Sequence, residues 1–404
     1  MRTRYGTSPW IDLFPKSRRP NLPRLRGDHH TDVVIVGGGL TGCAAAYACA
    51  AAGLRPILLE ADRLGQGGTG RSAGVLLSDP GPAFRDIAKA HGLRAARQIF
   101  ESWHRASRDA ASLLKRLRIK CDLQACDDLI VAVRDGEKAL GKELEARDAA
   151  GLDARRLSNQ AARAATTFDA VAGMKLGAGF TLDPYRACLG LAAAARSRGG
   201  ILFESSRVKK VQVGSKQADV ILDGGVVHAQ TVIVATGSAT SEYKPLRRHF
   251  KRRDSFLVLT EPMPAAMRRQ LTGADVIVRD TASPPHGIRR TKDDRLLIVG
   301  GDRDETPARQ RESVMVQRTG QLMYELLIMN HAIAGLRPEY GWDTTYGETA
   351  DGVMYIGPHR NYPRHLFALG GGVSTTGSFL AARILLRAVQ GSAEKADAVF
   401  GWTR

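Results

Sequence analysis

The feature that most constrains this chain is a short β-branched run, Val33–Val36, that leads directly into a glycine-rich turn and an alanine-rich segment. A buried-type strand that feeds such a turn and then a helix places the free N–H groups of the helix N-terminus at the end of a sheet. Gly37 permits the tight turn, Gly39 lets the backbone approach a ligand closely, and Gly42 lets the helix pack on the sheet. The turn therefore predicts a site for the pyrophosphate of a dinucleotide.

An acidic residue at the end of the next predicted strand supports this interpretation. We expect strands over residues 31–36 and 55–60, joined by a helix over 40–52. Glu60 then stands 18 positions after Gly42, where a carboxylate accepts hydrogen bonds from an adenosine ribose hydroxyl and disfavours a 2′-phosphate. The remaining contacts of this ADP site are expected at Leu40, Thr41 and Ala61.

Length and composition set the broad class. The 404 residues suffice for two domains, and the apolar and charged fractions of 43% and 25% are those of an ordinary globular protein. No apolar run approaches the ~20 residues of a membrane-spanning helix, and five cysteines at unrelated spacings predict reduced thiols in a cytoplasmic protein, without a metal site. The net charge of +18 comes without a nucleic-acid-binding motif, so we expect a solvated basic surface and no nucleic-acid partner.

A second glycine-rich loop, Leu64–Gly74, follows the predicted ADP site. A dehydrogenase that binds NAD has no need of it, but the loop resembles that of flavoproteins of the D-amino-acid oxidase and glycine/sarcosine oxidase superfamily, in which it lies against the flavin. The motif Ser8-Pro9-Trp10, ahead of the first strand, is similar to the gamma-glutamylputrescine oxidoreductase-like branch. Further segments that resemble the superfamily, in sequence order, are Leu182–Tyr185, Arg207–Val208, Thr231–Gly237, Thr349–Pro358 and Leu369–Gly377.

The resemblance implies FAD as the cofactor. A closing glycine-rich loop that feeds the last helix would present N–H groups to the pyrimidine end of the flavin and favour its reduced anion. Some relatives attach FAD through a Cys before that loop or a His in the second loop. Here no Cys follows Cys188 and Arg71 takes the place of the His, so we expect non-covalent FAD. The further cofactor contacts that the resemblance implies are Arg71, Ser72, Ala73, Gly74, Val208, Ala235, Thr236, Gly237, Gly371, Gly372, Val373, Ser374, Thr375 and Thr376.

The predicted elements and the resemblance together indicate a two-domain α/β flavoprotein. It would combine a Rossmann-like FAD-binding domain with a substrate domain built on a mixed or antiparallel sheet. Residues 1–27, rich in proline and basic side chains, would form an extended arm. The FAD domain is expected from residues 28–82, 152–240 and 336–404, and the substrate domain from 83–151 and 241–335.

Candidate catalytic residues come from the resemblance as well. Arg289 falls at the position of a strand arginine that often receives a substrate carboxylate, although a surface charge on a strand is the alternative. His286 would be a base or a polar contact, and Tyr346 would form a wall of the pocket. The chemistry of the family does not require a strong general base, because positioning and desolvation carry most of the effect.

The resemblance thus implies oxidation of the C–N bond of a small amine or amino acid to an imine, with oxygen as acceptor and hydrogen peroxide as product. One alternative is an FAD dehydrogenase of a 2-hydroxy acid or polyol phosphate that passes electrons to quinone or a carrier protein. Another is a flavin-binding assembly subunit without turnover. The substrate, the electron acceptor and the oligomeric state stay open at this point.

Overall fold

The computed structural model describes residues 3–133, 136–166, 168–270, 276–372 and 375–404. Its β-strands are β1 Arg4–Tyr5, β2 His29–Val36, β3 Pro56–Leu59, β4 Val75–Leu76, β5 Gln124–Ala132, β6 Ala154–Leu157, β7 Ala172–Thr181, β8 Ile201–Phe203, β9 Lys210–Val213, β10 Ala218–Leu222, β11 Gly225–Gly237, β12 Lys251–Thr260, β13 Val276–Asp280, β14 Gly287–Arg290, β15 Leu296–Asp304, β16 Pro338–Glu348, β17 Tyr355–His359 and β18 Tyr362–Leu369. Its α-helices are α1 Pro9–Asp12, α2 Leu40–Ala51, α3 Phe84–His91, α4 Leu93–Arg116, α5 Glu137–Ala149, α6 Asn159–Thr166, α7 Pro184–Arg196, α8 Ala265–Gln270, α9 Arg311–Met329 and α10 Thr376–Val389.

The smaller of two sheets, called here the small sheet, has the order β17-β18-β11-β2-β3-β8. Outside this order, β10 pairs with β11 and with β9. The pairs from β18 to β8 are parallel. The central strand β2 is an apolar run whose side chains Val33, Val34 and Ile35 are completely buried, as expected for a parallel strand covered on both faces. Helices α2, α4, α7 and α10 share the hydrophobic core on one face. This sheet is the predicted Rossmann-like unit.

The large sheet has ten strands in the order β1-β16-β12-β15-β14-β13-β5-β7-β4, with β6 paired to β7. Most neighbours are antiparallel, and the parallel pairs are β1 with β16 and β5 with β13. Alternate side chains face opposite sides: Ile288 and Ile298 pack against helix α9, whereas Leu257 and Leu297 pack on the other face with Trp342. The predicted α/β fold with a mixed, mostly antiparallel second sheet is confirmed.

Sheet membership differs from the domain ranges expected from sequence. Strands β7 and β16 lie within the ranges assigned to the FAD domain, yet both belong to the large sheet. Helix α4 lies within a range assigned to the substrate domain, but it packs on helix α10 against the small sheet. A chain that crosses several times between two sheets cannot be divided from local periodicity alone, because strands of both sheets have similar patterns. The division into domains therefore stays a prediction.

The N-terminal arm, defined here as residues 3–14, is ordered against the large sheet. Strand β1 extends the sheet beside β16, and the N–H of Gly6 continues the pairing with a 2.9 Å hydrogen bond to the oxygen of Gly341. Helix α1 follows, and the ring of Phe14 contacts that of Tyr185 edge to face at 5.3 Å. The expected extended arm is thus partly a strand and a short helix, because its apolar residues find partners on the folded protein.

Candidate cofactor and substrate site

A cleft of about 660 Å³ opens at the carboxyl ends of β2, β3 and β11 and reaches the last residues of β16. This is the edge of a parallel sheet at which open α/β folds bind their ligands, and the volume lies in the usual range for cofactor sites. Residues predicted from sequence that line the cleft are Gly37, Gly39, Leu40, Thr41, Glu60, Ala61, Ser72, Val208, Ala235, Thr236, Gly237, Tyr346, Gly371, Gly372 and Thr375. The predicted contacts Val373 and Ser374 lie outside the described residues.

The glycine turn has the geometry that its spacing predicts. Gly37 has φ +111°, and a Cβ there would lie 2.6 Å from the oxygen of Ala235. A Cβ on Gly42 would lie 1.9 Å from the oxygen of Gly37, so this glycine lets α2 approach the turn. Gly39 differs, because an added Cβ would meet only the hydroxyl of Thr69, at 3.2 Å. The protein fold thus requires Gly37 and Gly42, whereas Gly39 leaves space that a ligand can use.

Two helix N-termini meet at this cleft. The hydroxyl groups of Thr41 and Ser378 lie 2.9 Å apart and join the first turns of α2 and α10. Both residues line the cleft. Because the N-terminus of a helix carries a partial positive charge and unsatisfied N–H groups, the paired ends favour an anionic ligand such as a pyrophosphate.

Glu60 stands at the predicted place, where its carboxylate organises the turn. Its two oxygens accept hydrogen bonds from the N–H groups of Gly38 and Asp62, at 2.7 and 2.8 Å. Burial raises its pKa, while these two N–H donors act in the opposite direction. Each carboxylate oxygen can accept a second hydrogen bond, so the predicted contact with a ribose hydroxyl stays compatible with the geometry.

The segment Gly70–Leu77, called here the crossing segment, runs from the cleft to strand β4 of the large sheet. Each of its carbonyl groups accepts a hydrogen bond from a residue that is distant in sequence. In chain order from Gly70 to Leu77 the donors are Ser8, Trp342, Trp10, Arg289, the N–H of Leu182, Thr375, Ser107 and Thr376. The segment is therefore fixed at once by the large sheet, by helix α4, by the start of helix α10 and by the N-terminal arm.

Two consecutive N–H groups of the crossing segment have no protein acceptor in the described part of the chain. Those of Ala73 and Gly74 donate to no acceptor among the described residues, although both residues are buried. Buried backbone N–H groups are rarely left unsatisfied. The N–H groups of Ala73 and Gly74 directly follow Ser72, which lines the cleft. They are therefore available as hydrogen-bond donors to a ligand in the cleft. Together with the space at Gly39 and the two helix ends, this fits a cofactor with a pyrophosphate and a polar ring.

Several of the predicted contact residues lie outside the lining of the cleft and contact the segments around it. The guanidinium of Arg71 donates to the backbone oxygen of Asp343 at 3.1 Å and lies 3.4 Å from its carboxylate. Thr376 turns its hydroxyl to the oxygen of Leu77, at 3.0 Å. Neither Arg71 nor Thr376 lines the cavity itself, and the same holds for the predicted contacts Gly42, Ala73 and Gly74. The proposed role of these residues is to hold the lining segments in place.

Arg289 is buried on the face of the large sheet that carries the crossing segment. Its Nε donates to the oxygen of Ala73 at 2.8 Å and its Nη2 to that of Leu182 at 3.3 Å, and the indole ring of Trp10 lies 5.1 Å from the guanidinium carbon. It forms no ion pair with a carboxylate among the described residues, and burial lowers its pKa to about 10. Burying a charge without an acid partner costs free energy. An anion bound near the guanidinium would offset part of this cost.

His286 lies on the opposite face of the same sheet, since side chains alternate along β14. Its Nδ1 is 2.6 Å from the carboxylate of Asp280 and its Nε2 is 3.0 Å from that of Glu325, on helix α9. Burial opposes the charged imidazole, but the two carboxylates outweigh it and raise the pKa of His286. The structure does not bring this residue together with Arg289.

Tyr346 lines the cleft, and its hydroxyl donates to the carboxylate of Asp302 at 2.6 Å. Burial and this carboxylate hold the pKa of Tyr346 well above its usual range. The phenol is therefore protonated at neutral pH, which favours the predicted role as a wall of the pocket over a role as a base. Trp342, four residues earlier on β16, is fully buried and donates its indole N–H to the oxygen of Arg71 at 2.9 Å.

The sequence interpretation missed part of the site. Asp302 and Ser378 were not among the candidates, and Ser8 and Trp10 were noted only as a resemblance. A serine in the first turn of a predicted helix after a glycine-rich loop is a usable signal for Ser378. Nothing local indicates the pairing of Asp302 with Tyr346, because these residues come from different strands.

The remaining groups do not suggest another chemistry in this cleft. All five cysteines are buried, and burial raises the pKa of Cys49 and Cys121 to about 12. Among the described residues no cluster of three or more His, Cys, Asp or Glu side chains could hold a metal ion. No helix in the described part of the chain combines the length and apolar character needed to cross a bilayer.

Comparison with known proteins agrees with the site. The sequence model of the family described as FAD dependent oxidoreductase matches residues 32–387. Gamma-glutamylputrescine oxidoreductase of Escherichia coli (strain K12) is 28% identical over 375 residues, which are 91% of this chain and 85% of that protein. One subunit of the anaerobic glycerol-3-phosphate dehydrogenase of the same strain is 25% identical over 336 residues, 78% of this chain and 58% of that protein.

The fold is shared with solved structures. Glycine oxidase from Geobacillus kaustophilus superposes with a TM-score of 0.76 at 18% identity, and the match covers 93% of this chain and 99% of that one. At such identity the likeness concerns the fold, including the two sheets.

Proposed function

This chain belongs to the family of FAD dependent oxidoreductases, and we propose that it oxidises the C–N bond of a small amine or amino acid to an imine. The names of its relatives support this class of substrate, since gamma-glutamylputrescine oxidoreductase and glycine oxidase are both similar to it. The observation that carries the proposal within this chain is Arg289, a buried cation without an acid partner among the described residues, joined to the crossing segment beside the cleft. It favours a substrate that bears a carboxylate.

FAD, when bound, would accept a hydride, that is one hydrogen with two electrons, from the carbon that bears the amine nitrogen. Residues of the glycine turn and the first turns of α2 and α10 would hold its pyrophosphate, and the crossing segment would lie beside its ring. We infer that FAD is held without a covalent bond, because Arg71 and the absence of a Cys after Cys188 remove the attachment positions that the resemblance implies. Acid precipitation should then leave the yellow colour in the supernatant, and colour in the pellet would contradict this.

The side chains contribute binding and exclusion of water rather than proton abstraction. Arg289 would attract and orient the carboxylate through its remaining nitrogen, Nη1, because Nε and Nη2 already donate to carbonyl groups. Tyr346 stays protonated and would offer its oxygen as a hydrogen-bond acceptor to an amine. Positioning of a neutral amine in a dry site contributes most of the rate enhancement in such a scheme. The imine hydrolyses to a carbonyl compound and ammonia or an amine, and oxygen would accept the two electrons and become hydrogen peroxide.

Matched pairs of compounds test the proposal. The purified protein is mixed without oxygen with each member of pairs that share a carbon skeleton, such as alanine and lactate or glycine and glycolate, and with simple diamines. We expect the flavin absorbance to bleach with one or more nitrogen compounds and to remain with their hydroxyl analogues. Admission of air should then restore the colour and yield hydrogen peroxide.

The similarity to the anaerobic glycerol-3-phosphate dehydrogenase favours one second candidate, a dehydrogenase of a polyol phosphate or 2-hydroxy acid. The charge of Arg289 would serve a phosphate as well as a carboxylate. Bleaching by glycerol 3-phosphate or lactate, with their nitrogen analogues inactive, would establish this alternative. A flavin that dithionite bleaches but no compound of the panel does would instead favour an assembly subunit without turnover.

A further inference from the structure

The N-terminal arm donates two hydrogen bonds to the crossing segment, at carbonyl groups two residues apart. The hydroxyl of Ser8 donates to the oxygen of Gly70, and the indole N–H of Trp10 donates to that of Ser72 at 3.0 Å. Trp342 holds the intervening carbonyl of Arg71 from the large sheet, at 2.9 Å. Three consecutive carbonyl groups thus each accept a side-chain hydrogen bond, and the arm provides the first and the third of these bonds.

The arm is held independently of these two bonds. Strand β1 pairs with β16, and the guanidinium of Arg4 donates to the hydroxyl of Tyr340 at 3.0 Å. That hydroxyl donates to the carboxylate of Asp12 at 2.9 Å. Ser8 is fully buried, and the ring of Trp10 covers the guanidinium of Arg289. The donors are thus presented from a fixed position, which a loose tail could not provide.

Fixing a carbonyl fixes the next N–H, because the peptide unit is planar and trans. The carbonyl of Ser72 is held by Trp10, so the N–H of Ala73 must point in the opposite direction. In the same way Arg289, by holding the carbonyl of Ala73, directs the N–H of Gly74. Both of these N–H groups belong to buried residues and have no protein acceptor among the described residues. The arm consequently determines where one of the two free donors beside the cleft points.

We propose that Ser8 and Trp10 are positioning residues of the flavin site, and that the N-terminal arm is a structural part of that site. They act through the crossing segment: Ser8 holds the carbonyl of Gly70 and fixes the start of the segment, whereas Trp10 holds the carbonyl of Ser72 and keeps the N–H of Ala73 available to the bound flavin ring. The inference goes beyond the proposed reaction, since it concerns the cofactor whatever the substrate is. It also gives the sequence Ser8-Pro9-Trp10 a physical reason, because Pro9 begins α1 and sets the spacing of the two donors.

The test uses Trp10→Phe, which removes the N–H donor and keeps an aromatic ring over Arg289, and Ser8→Ala, which removes the hydroxyl alone. Leu13→Ala is the matched control, because Leu13 lies on the same arm with 55% of its surface exposed. FAD is removed from each full-length variant and titrated back, and its visible spectrum is recorded in the bound state. We expect the dissociation constant of FAD to rise about three- to tenfold in each single variant, with a shifted flavin absorption band, and to stay at the wild-type value in the control.

Two results would overturn the proposal. If Trp10→Phe and Ser8→Ala each bind FAD with wild-type affinity and an unchanged band, the two hydrogen bonds do not position the flavin. If Leu13→Ala changes affinity and spectrum equally, the arm acts only through general stability. Neither readout depends on a substrate, so failure here is distinguishable from failure of the proposed reaction.

Discussion

The hydroxyl groups of Thr41 and Ser378 lie 2.9 Å apart, 337 residues apart in the chain. They join the first turns of α2 and α10 at the cleft, so the positive ends of two helices meet at the same cavity. One of these helices starts at the glycine turn and the other follows the closing glycine-rich loop. Because the two helices converge, we expect both glycine-rich regions to contribute to the binding of one anionic cofactor.

A negative charge at this junction should therefore expel the cofactor. Ser378→Asp places a carboxylate between the two helix ends, where we expect it to weaken FAD binding roughly 10- to 100-fold through repulsion of the pyrophosphate. Ser378→Ala, which removes only the hydroxyl, should change the affinity by less than about tenfold. Titration of flavin-free protein with FAD measures both. Equal affinity in Ser378→Asp and Ser378→Ala would show that the pyrophosphate lies elsewhere.

Two glycines of the same turn should respond differently to substitution. Gly39→Val should leave the chain folded and abolish FAD retention, because its Cβ meets only the hydroxyl of Thr69 in the protein but occupies the space of the pyrophosphate. Gly37→Val should instead destabilise the fold itself, since φ is +111° and a Cβ would lie 2.6 Å from a backbone oxygen. Thermal unfolding and flavin content, measured for both variants, distinguish a loss of fold stability from a loss of FAD binding. Normal FAD content in Gly39→Val would refute the assignment of this turn as the pyrophosphate site.

The parts of the site that could be predicted from the sequence are the local ones, such as this glycine turn. The turn, the helix after it and the acid at Glu60 are local features, whose spacing follows from backbone geometry and is therefore visible in the sequence. The donors of the crossing segment are not local: Ser107 on helix α4 bonds to Leu76, and Trp342 on strand β16 bonds to Arg71. These contacts exist only after elements that are distant in sequence have packed together. The separation of His286 from Arg289 was predictable in principle, since three positions along a strand place side chains on opposite faces.

Arg289 should govern the affinity for a substrate that bears a carboxylate. Arg289→Met removes the charge at similar length, and we expect KM to rise about 10- to 150-fold, as for the loss of about 1.5–3 kcal/mol from a charged hydrogen bond. Arg289→Lys keeps the charge and should recover part of this loss. Because Arg289 also holds the oxygen of Ala73, FAD affinity should fall modestly in both variants. Steady-state kinetics across an acidic and a neutral substrate measure the effect, and an equal change of KM for both would argue against contact with the carboxylate.

His286 should affect stability in a pH-dependent way and leave turnover unchanged. Its pKa is raised in the folded protein by Asp280 and Glu325, against the effect of burial. As pH rises above about 6.5, the unfolded chain loses the proton first, so the stabilisation is complete below that pH and disappears as pH passes through the raised folded pKa. His286→Gln should lower the free energy of unfolding by about 1.5–3 kcal/mol at pH 6.

Denaturant unfolding of both proteins at several pH values checks this. The difference between wild type and His286→Gln should shrink as pH rises, while kcat of the variant stays near that of wild type at any pH at which both are folded. A difference that grows with pH, or a selective loss of kcat, would show that His286 has a role in the reaction that its position against helix α9 does not suggest.

The stoichiometry of one anaerobic turnover tests the proposed oxidation of a C–N bond most directly. The protein is mixed with a nitrogen compound that bleaches its flavin, and the carbonyl product and the released ammonia or amine are counted against the flavin bleached. We expect one equivalent of each per flavin. Bleaching that releases a carbonyl compound only from hydroxyl substrates, with no nitrogen product, would contradict it.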